Sequence, residues 1–257
     1  MVAVALSPVR QRAGYFYVWM AAACGFIAFG AFAPTYWLQL PAGTFVGSPL
    51  LHLHAALCYS WVLLLVSQTA LAANGQLDHH RAWGLAGISL ATAVVVIGVA
   101  AALNTLTTAL AAGYGDSARA FFIVPVSAIS LFAGFIVAAI ANIRRPQAHK
   151  RFMLLATISL LQAATARVFF VLATGGGPGL RPGLGRPALV FDTIVPRLII
   201  ELMIVAGIVY DWRTRGRPHP VWLIGAAVMT TVILLGGPLS GTPAWLTFTD
   251  FMAHIAG

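Results

Sequence analysis

The histidines are the residues whose positions say most about the chemistry of this sequence. His80, His149 and His219 recur at nearly equal intervals, each at the start of a long apolar stretch. A b-type haem needs two axial imidazoles at one depth on facing helices, and nearby arginine suits its propionates. His80 and His149, together with Arg151, meet these requirements. We therefore expect His80 and His149 to ligate a haem iron and Arg151 to contact the propionates.

These histidines also have a simpler interpretation, in which they lie at a membrane interface and bond to loops or lipid head groups. On the other side of the membrane, His54 is the candidate for a further haem ligand, and only His254 is available to pair with it. His54 shares one helix face with Trp61 and Gln68. That face would equally serve a contact between helices through a glutamine hydrogen bond.

A second group of candidates consists of ionisable residues inside apolar stretches: Arg167, Asp192, Arg197 and Glu201. A charge near the middle of a bilayer costs about 2.5–3.5 kcal/mol or more, so such groups pair or line a cavity. Arg197 and Glu201 are one helical turn apart, and we expect them to pair. The cluster is either a structural network of ion pairs or a polar cavity for a substrate, a proton or a quinone.

The composition requires that these residues be positioned by helices in a membrane. Charged residues make up 8% of the chain, hydrophobic residues 60%, and the mean hydropathy is +0.89. A soluble domain would carry about 25% charged residues. Backbone groups in hydrocarbon must be satisfied within their own segment, so each apolar stretch is expected to be helical. We predict a single all-α transmembrane domain over residues 1–257, with an outer interfacial tail at 241–257. The seven predicted helices span about 15–38, 51–73, 82–107, 117–142, 150–174, 188–210 and 219–240.

The distribution of Lys and Arg predicts the orientation of these helices. Cytoplasmic loops carry an excess of basic residues. One side of the predicted bundle holds Arg10, Arg12, Arg81, Arg144, Arg145, Lys150, Arg151, Arg213, Arg215 and Arg217, and the other holds Arg119, Arg181 and Arg186. The N-terminus is therefore expected in the cytoplasm and the C-terminus outside.

Composition and residue types exclude three other classes of protein. The net charge of +9 does not indicate nucleic-acid binding, because the basic residues lie in short loops, where they set orientation and contact anionic lipids. A retinal protein needs a lysine within a helix, and Lys150, the single lysine, lies in a basic loop. Cys24 and Cys58 lie in separate apolar stretches and form no disulfide framework.

Several short motifs in this chain resemble those of a group of bacterial membrane proteins. They run over roughly residues 51–170: His54, Gln68, His80-Arg81-x-x-Gly84, His149-Lys150-Arg151-x-Met153 and Arg167. The resemblance is to predicted integral membrane proteins of unknown function, which are similar in turn to transmembrane b-type cytochromes. It implies a multi-pass protein of the bacterial cytoplasmic (inner) membrane that holds haem b within a helical bundle. The chain departs from the two-haem pattern, because the outer side offers His54 no suitable partner histidine on another spanning helix.

Three functions are consistent with these patterns. The leading hypothesis is a haem-binding or quinone-interacting component of membrane electron transfer. The second is a transporter of a small molecule or an ion that uses the intramembrane charges. The third is an accessory or assembly subunit of a larger membrane complex, without catalytic activity. No motif identifies an enzymatic reaction.

Overall fold

The computed structural model describes residues 8–256, with side chains from residue 15 onward. Arg10 and Arg12, which enter the orientation prediction, lie outside the described side chains. All regular structure in the described part is helical. The helices are α1 (Pro8–Phe32), α2 (Pro49–Ala73), α3 (Leu77–Ala111), α4 (Gly115–Phe121), α5 (Ile123–Ala141), α6 (Pro146–Leu160), α7 (Gln162–Thr174), α8 (Ile194–Ile200), α9 (Leu202–Arg215), α10 (Pro220–Ser240) and α11 (Pro243–Ala256).

Seven helical segments of the described chain are long and apolar enough to cross a membrane. They are Tyr15–Trp37, Pro49–Ala73, Leu77–Ala111, Gly115–Ala141, Pro146–Thr174, Phe191–Arg215 and Pro220–Ser240. The predicted all-α bundle of seven spans is thus confirmed. The largest difference is at α3, which begins at Leu77 rather than near residue 82. Its polar first turn lies outside the apolar stretch but continues the same helix, so His80 is a helical residue.

Short turns connect the helices at the end of the bundle where α3, α6 and α10 begin. We call this the basic end, because the basic loop residues from Arg144 to Lys150 and from Arg213 to Arg217 lie there, and we call the other the opposite end. The turn before α3 contains Gly75 at a φ of +75°, a conformation that favours glycine. That the basic end faces the cytoplasm stays a prediction.

Three of the spans change helix at a single residue. Phe122 separates α4 from α5, Leu161 separates α6 from α7, and Glu201 separates α8 from α9. At Glu201 the backbone N–H bonds the oxygen of Leu198, three residues back, as in a 3₁₀ turn. Pro196 lies in the first turn of α8, where its missing N–H removes no helical hydrogen bond.

Close helix packing at the basic end depends on glycine. A Cβ added at Gly207 of α9 would lie 2.5 Å from the ring of Trp222 on α10. Trp222 is fully buried. Small residues at helix contacts let backbones approach closely within a membrane domain. Gly207 therefore lets α9 pack against α10 and brings the end of α9 beside the start of α10.

The C-terminal segment forms α11, which packs against α3 and α4. The indole nitrogen of Trp245 donates to the backbone oxygen of Arg119 at 2.9 Å, and Arg119 also pairs with Asp250 at 2.6 Å. Trp245 thus turns towards the protein rather than towards lipid. Phe248 and Phe251 remain exposed.

Candidate functional site

His80 and His149 occupy equivalent positions at the basic end of two helical hairpins. Each is the fourth residue of its helix, α3 or α6. The Nδ1 atom of His80 lies 3.3 Å from the backbone oxygen of Gln68 in α2. The Nδ1 atom of His149 lies 2.9 Å from the backbone oxygen of Ala139 in α5. The connection before each of these helices is short. The start of the helix therefore lies against the end of the preceding helix, where the imidazole reaches a backbone carbonyl.

These contacts determine which ring nitrogen is free in each histidine. A carbonyl oxygen only accepts, so Nδ1 must carry the proton in both hydrogen bonds. A neutral imidazole held in this way presents the lone pair of Nε2. A metal-ligating histidine is typically oriented by such a bond from its other nitrogen to a carbonyl. Among the side chains from residue 15 onward, no hydrogen bond to Nε2 of His80 or His149 is found.

The two imidazoles fit the donor requirement of a haem. Both imidazoles are half-buried at the same end of the bundle. Within the described residues, no three His, Cys, Asp or Glu side chains converge as a protein-only metal site would require. A haem needs just two axial ligands from the protein. That His80 and His149 ligate a haem iron stays a prediction.

Arg151 has a different partner from the propionate that was expected. Its guanidinium forms a two-pronged ion pair with Asp211 of α9, with Nε 2.9 Å from Oδ2 and Nη2 bonded to Oδ1. Its Nη1 donates to the backbone oxygen and to Oε1 of Gln147. The two side chains are 1% and 0% exposed. Since all three guanidinium nitrogens are engaged, a propionate would have to displace Asp211 to bind Arg151.

Asp211 is the functional candidate that the sequence analysis missed. Besides Arg151, its carboxylate accepts the backbone N–H of His219 at 3.1 Å and lies 3.8 Å from Arg215. It therefore ties α6, α9 and the turn before α10 together at the basic end. One signal could have revealed it: Asp211 is one of six acidic residues and lies one helical turn before Arg215.

His219 does not share the arrangement of His80 and His149. Its Nδ1 accepts the backbone N–H of Val221 at 3.2 Å and so caps the start of α10. Here Nδ1 carries the lone pair and the proton is on Nε2. The third histidine of the evenly spaced set is thus a helix cap in the structure.

The cap predicts that stability depends on pH through His219. Burial lowers the pKa of His219 from its ordinary value of 6.5, and the charge of Arg151 acts in the same direction. The stabilisation from the neutral cap is complete above pH 6.5 and is lost as the pH falls below that value. The side-chain oxygen of asparagine also caps helices but does not titrate. Between about pH 7.5 and about pH 5.5, we therefore expect the thermal unfolding temperature in detergent to fall less for His219→Asn than for the wild type. An identical fall in both proteins would contradict this role.

His54 lies at the opposite end of the bundle, in α2. Its Nε2 is 3.7 Å from the sulfur of Cys58, and its Nδ1 is buried without a partner in the described part of the chain. His254 is exposed on α11. The structure thus provides His54 with no second imidazole, and its candidacy as a haem ligand gains no support.

The intramembrane charges are divided among separate places rather than forming one cluster. Arg197 donates to Oε1 of Gln162 at 2.8 Å and to the hydroxyl of Ser127 at 2.9 Å. Glu201 accepts from the hydroxyl of Thr230 at 2.6 Å. The expected ion pair between Arg197 and Glu201 is therefore wrong, because each side chain reaches a partner on another helix.

The two remaining members of the expected cluster lie elsewhere. Asp192 is exposed in a 3₁₀ turn that precedes α8. Arg167 of α7 donates to the hydroxyl of Thr35 at 3.1 Å, and its guanidinium carbon lies 4.1 Å from the centre of the Phe32 ring. Arg167 thus faces α1, whereas Arg197 faces α5 and α7. The neutral four-residue network expected from the formal charges is not formed.

The fold and these sites define an integral membrane protein with seven apolar helices and a pair of equivalent histidines at one end. Comparison with known protein families, curated proteins and solved structures found no match to this chain. Its function is therefore inferred from its own residues.

Proposed function

We propose that this protein binds one haem b between His80 and His149 and transfers electrons within a membrane. The observation that supports the proposal is the equivalent hydrogen bonding of the two imidazoles, in which Nδ1 is held by a carbonyl and Nε2 is left free. A bound haem would supply a one-electron redox couple.

In this proposal the residues of the chain orient and stabilise the ligands. The carbonyls of Gln68 and Ala139 fix the ring orientation and make each Nε2 a better donor. Asp211 and Arg151 hold α6 and α9 together beside His149. The N-termini of α3 and α6, where the helix dipole is positive, also suit the acidic propionates.

Electron transfer requires a donor and an acceptor of electrons, and a protein within a bilayer meets partners that are themselves in the membrane. The spans place the protein in contact with the lipid bilayer. We propose the bacterial cytoplasmic membrane as its site, with a membrane quinone or a larger redox complex as its electron partner. A transporter or an accessory subunit would not require a redox couple, so spectroscopy separates these functions from the proposed one.

The test is a reduced-minus-oxidised spectrum of the full chain, expressed with ample haem precursor and purified in an uncharged detergent. We expect the bands of a six-coordinate b-type haem at one haem per chain. A purified, folded protein with no Soret absorption, even after reconstitution with hemin, would contradict the proposal.

A further inference from the structure

A group of aromatic side chains lies beside Arg167 at the opposite end of the bundle. We call it the aromatic cluster, and it consists of Phe29, Phe32, Tyr36, Trp37 and Tyr59. The ring centres of Trp37 and Tyr59 are 4.7 Å apart, and the guanidinium of Arg167 lies over Phe32. The charge of Arg167 also acts on Tyr59. The cluster thus combines apolar walls with a cation.

Arg167 has no acidic partner. The six acidic side chains of the chain are all described, and none forms an ion pair with Arg167 or Arg181. A second cation lies nearby, because the guanidinium carbon of Arg181 is 5.7 Å from the ring of Phe45, which packs 5.1 Å from Tyr36. An uncompensated charge within a membrane span is costly and marks a functional site by default. The cluster therefore lacks a negative charge.

The free polar atoms of the cluster are mostly hydrogen-bond donors. The hydroxyl of Tyr59 and the indole nitrogen of Trp37 are buried, neighbour each other and have no other partner among the described residues. Tyr59 is 7% exposed, so water outside the protein does not serve it. The hydroxyl of Thr35 is the one group that accepts from Arg167 in the described part. A ligand that fits must bring oxygen acceptors and a negative charge.

The aromatic cluster lies inside the bundle, some way from the helix ends at the opposite end, and the loop after α7 covers it. Tyr59 is about 15 Å along α2 from Pro49, at a depth where an apolar body is favoured. The side-chain nitrogen of Gln39 donates to the backbone oxygens of Gly177 and Leu180 and so ties this loop over the cluster. Arg181 of the same loop donates to the backbone oxygen of Val46. The loop after α7 would thus enclose a ligand on the side of the opposite end.

We propose that the aromatic cluster binds an organic anion whose oxygen-rich acid head contacts Arg167, Tyr59 and Trp37. The apolar part of the ligand lies among the rings. A carboxylate matches the planar fork of arginine, and a phosphate head offers the same acceptor chemistry. Both kinds of head occur on single-chain amphiphiles that reach this depth from the bilayer. The site is distinct from the histidine pair at the basic end.

The experiment measures saturable binding of radiolabelled laurate to the full chain in phosphatidylcholine nanodiscs, with empty nanodiscs as background. Dodecyl phosphate and uncharged dodecanol are the competitors. We expect either anion to compete and dodecanol to have no effect, and the stronger competitor identifies the head group. Arg167→Gln and Tyr59→Phe are each expected to weaken binding by about 10- to 100-fold, close to the range for a lost hydrogen bond to a charged group.

Two controls separate binding from folding. Arg81→Gln removes an exposed arginine at the basic end and should leave laurate binding unchanged. Without ligand, Arg167→Gln should be at least as stable as the wild type, because it removes an unpaired buried charge. Absence of saturable binding of either anion, or equal binding by Arg167→Gln, would overturn the proposal. The measurement does not involve haem, so its outcome is independent of the proposed function.

Discussion

Replacement of either His80 or His149 by alanine is expected to abolish the haem spectrum of the purified protein. Each replacement removes one axial ligand, and the loss should exceed the 10- to 100-fold cost that mutation of an outer partner of a metal ligand carries. We therefore expect a fall of at least about 100-fold in haem affinity, measured by titration of the purified variant with hemin. Either variant retaining a six-coordinate spectrum would contradict the assignment.

The neighbouring histidine supplies the matched control for this prediction. His79 precedes His80 in the first turn of α3 and is exposed, so His79→Ala should retain the haem and its spectrum. Because His80→Ala also loses the hydrogen bond to Gln68, a folding defect must be separated from loss of a ligand. Added imidazole should restore the spectrum of His80→Gly by occupying the vacated space. Failure of this rescue in a folded variant would argue for a structural role of His80.

Asp211→Ala is expected to lower the free energy of unfolding by about 3–5 kcal/mol, the cost of breaking a buried ion pair by removing one partner. The reason is that Arg151 would stay in a fully buried position with its charge uncompensated. The backbone N–H of His219 would lose its acceptor as well. The measurement is the unfolding midpoint in a denaturant titration in mild detergent.

Two further variants test this explanation. Replacing both partners by apolar residues, as in Arg151→Met with Asp211→Leu, should recover most of the stability, because no buried charge is left unpaired. Asp78→Ala removes an acidic residue from an exposed ion pair with Arg81 and should cause no measurable loss. If the double variant were as unstable as Asp211→Ala, the destabilisation would come from lost packing rather than from the charge.

The hairpin positions of His80 and His149 could be predicted from sequence because they depend on local features. Each histidine follows a short polar turn between two apolar stretches, so both fall at the same end of the bundle. The carbonyls that bind them belong to the preceding helix, which the turn brings alongside. The equally spaced His219 shows the limit of this reasoning. A proline follows it, and its imidazole caps α10 instead of reaching back.

The partners of the buried charges could not be predicted in the same way. The expected pairing of Arg197 with Glu201 rested on their spacing in one helix, yet Gln162 and Thr230 on other helices bind them. Arg151 and Asp211 are distant in sequence and meet through the packing of α6 with α9. A side chain inside a bundle bonds whichever partner the neighbouring helix presents.

The sequence alone determined that the chain is a membrane protein with seven helical spans, and it located them to within a few residues. Hydropathy and length suffice for this because a backbone in hydrocarbon must satisfy its hydrogen bonds within its own segment. Tertiary structure alone decided that Arg151 binds Asp211, that Arg167 lies unpaired among aromatic rings, and which nitrogen of His80 and His149 is free. These features depend on contacts between helices, and small residues such as Gly207 set how closely those helices approach.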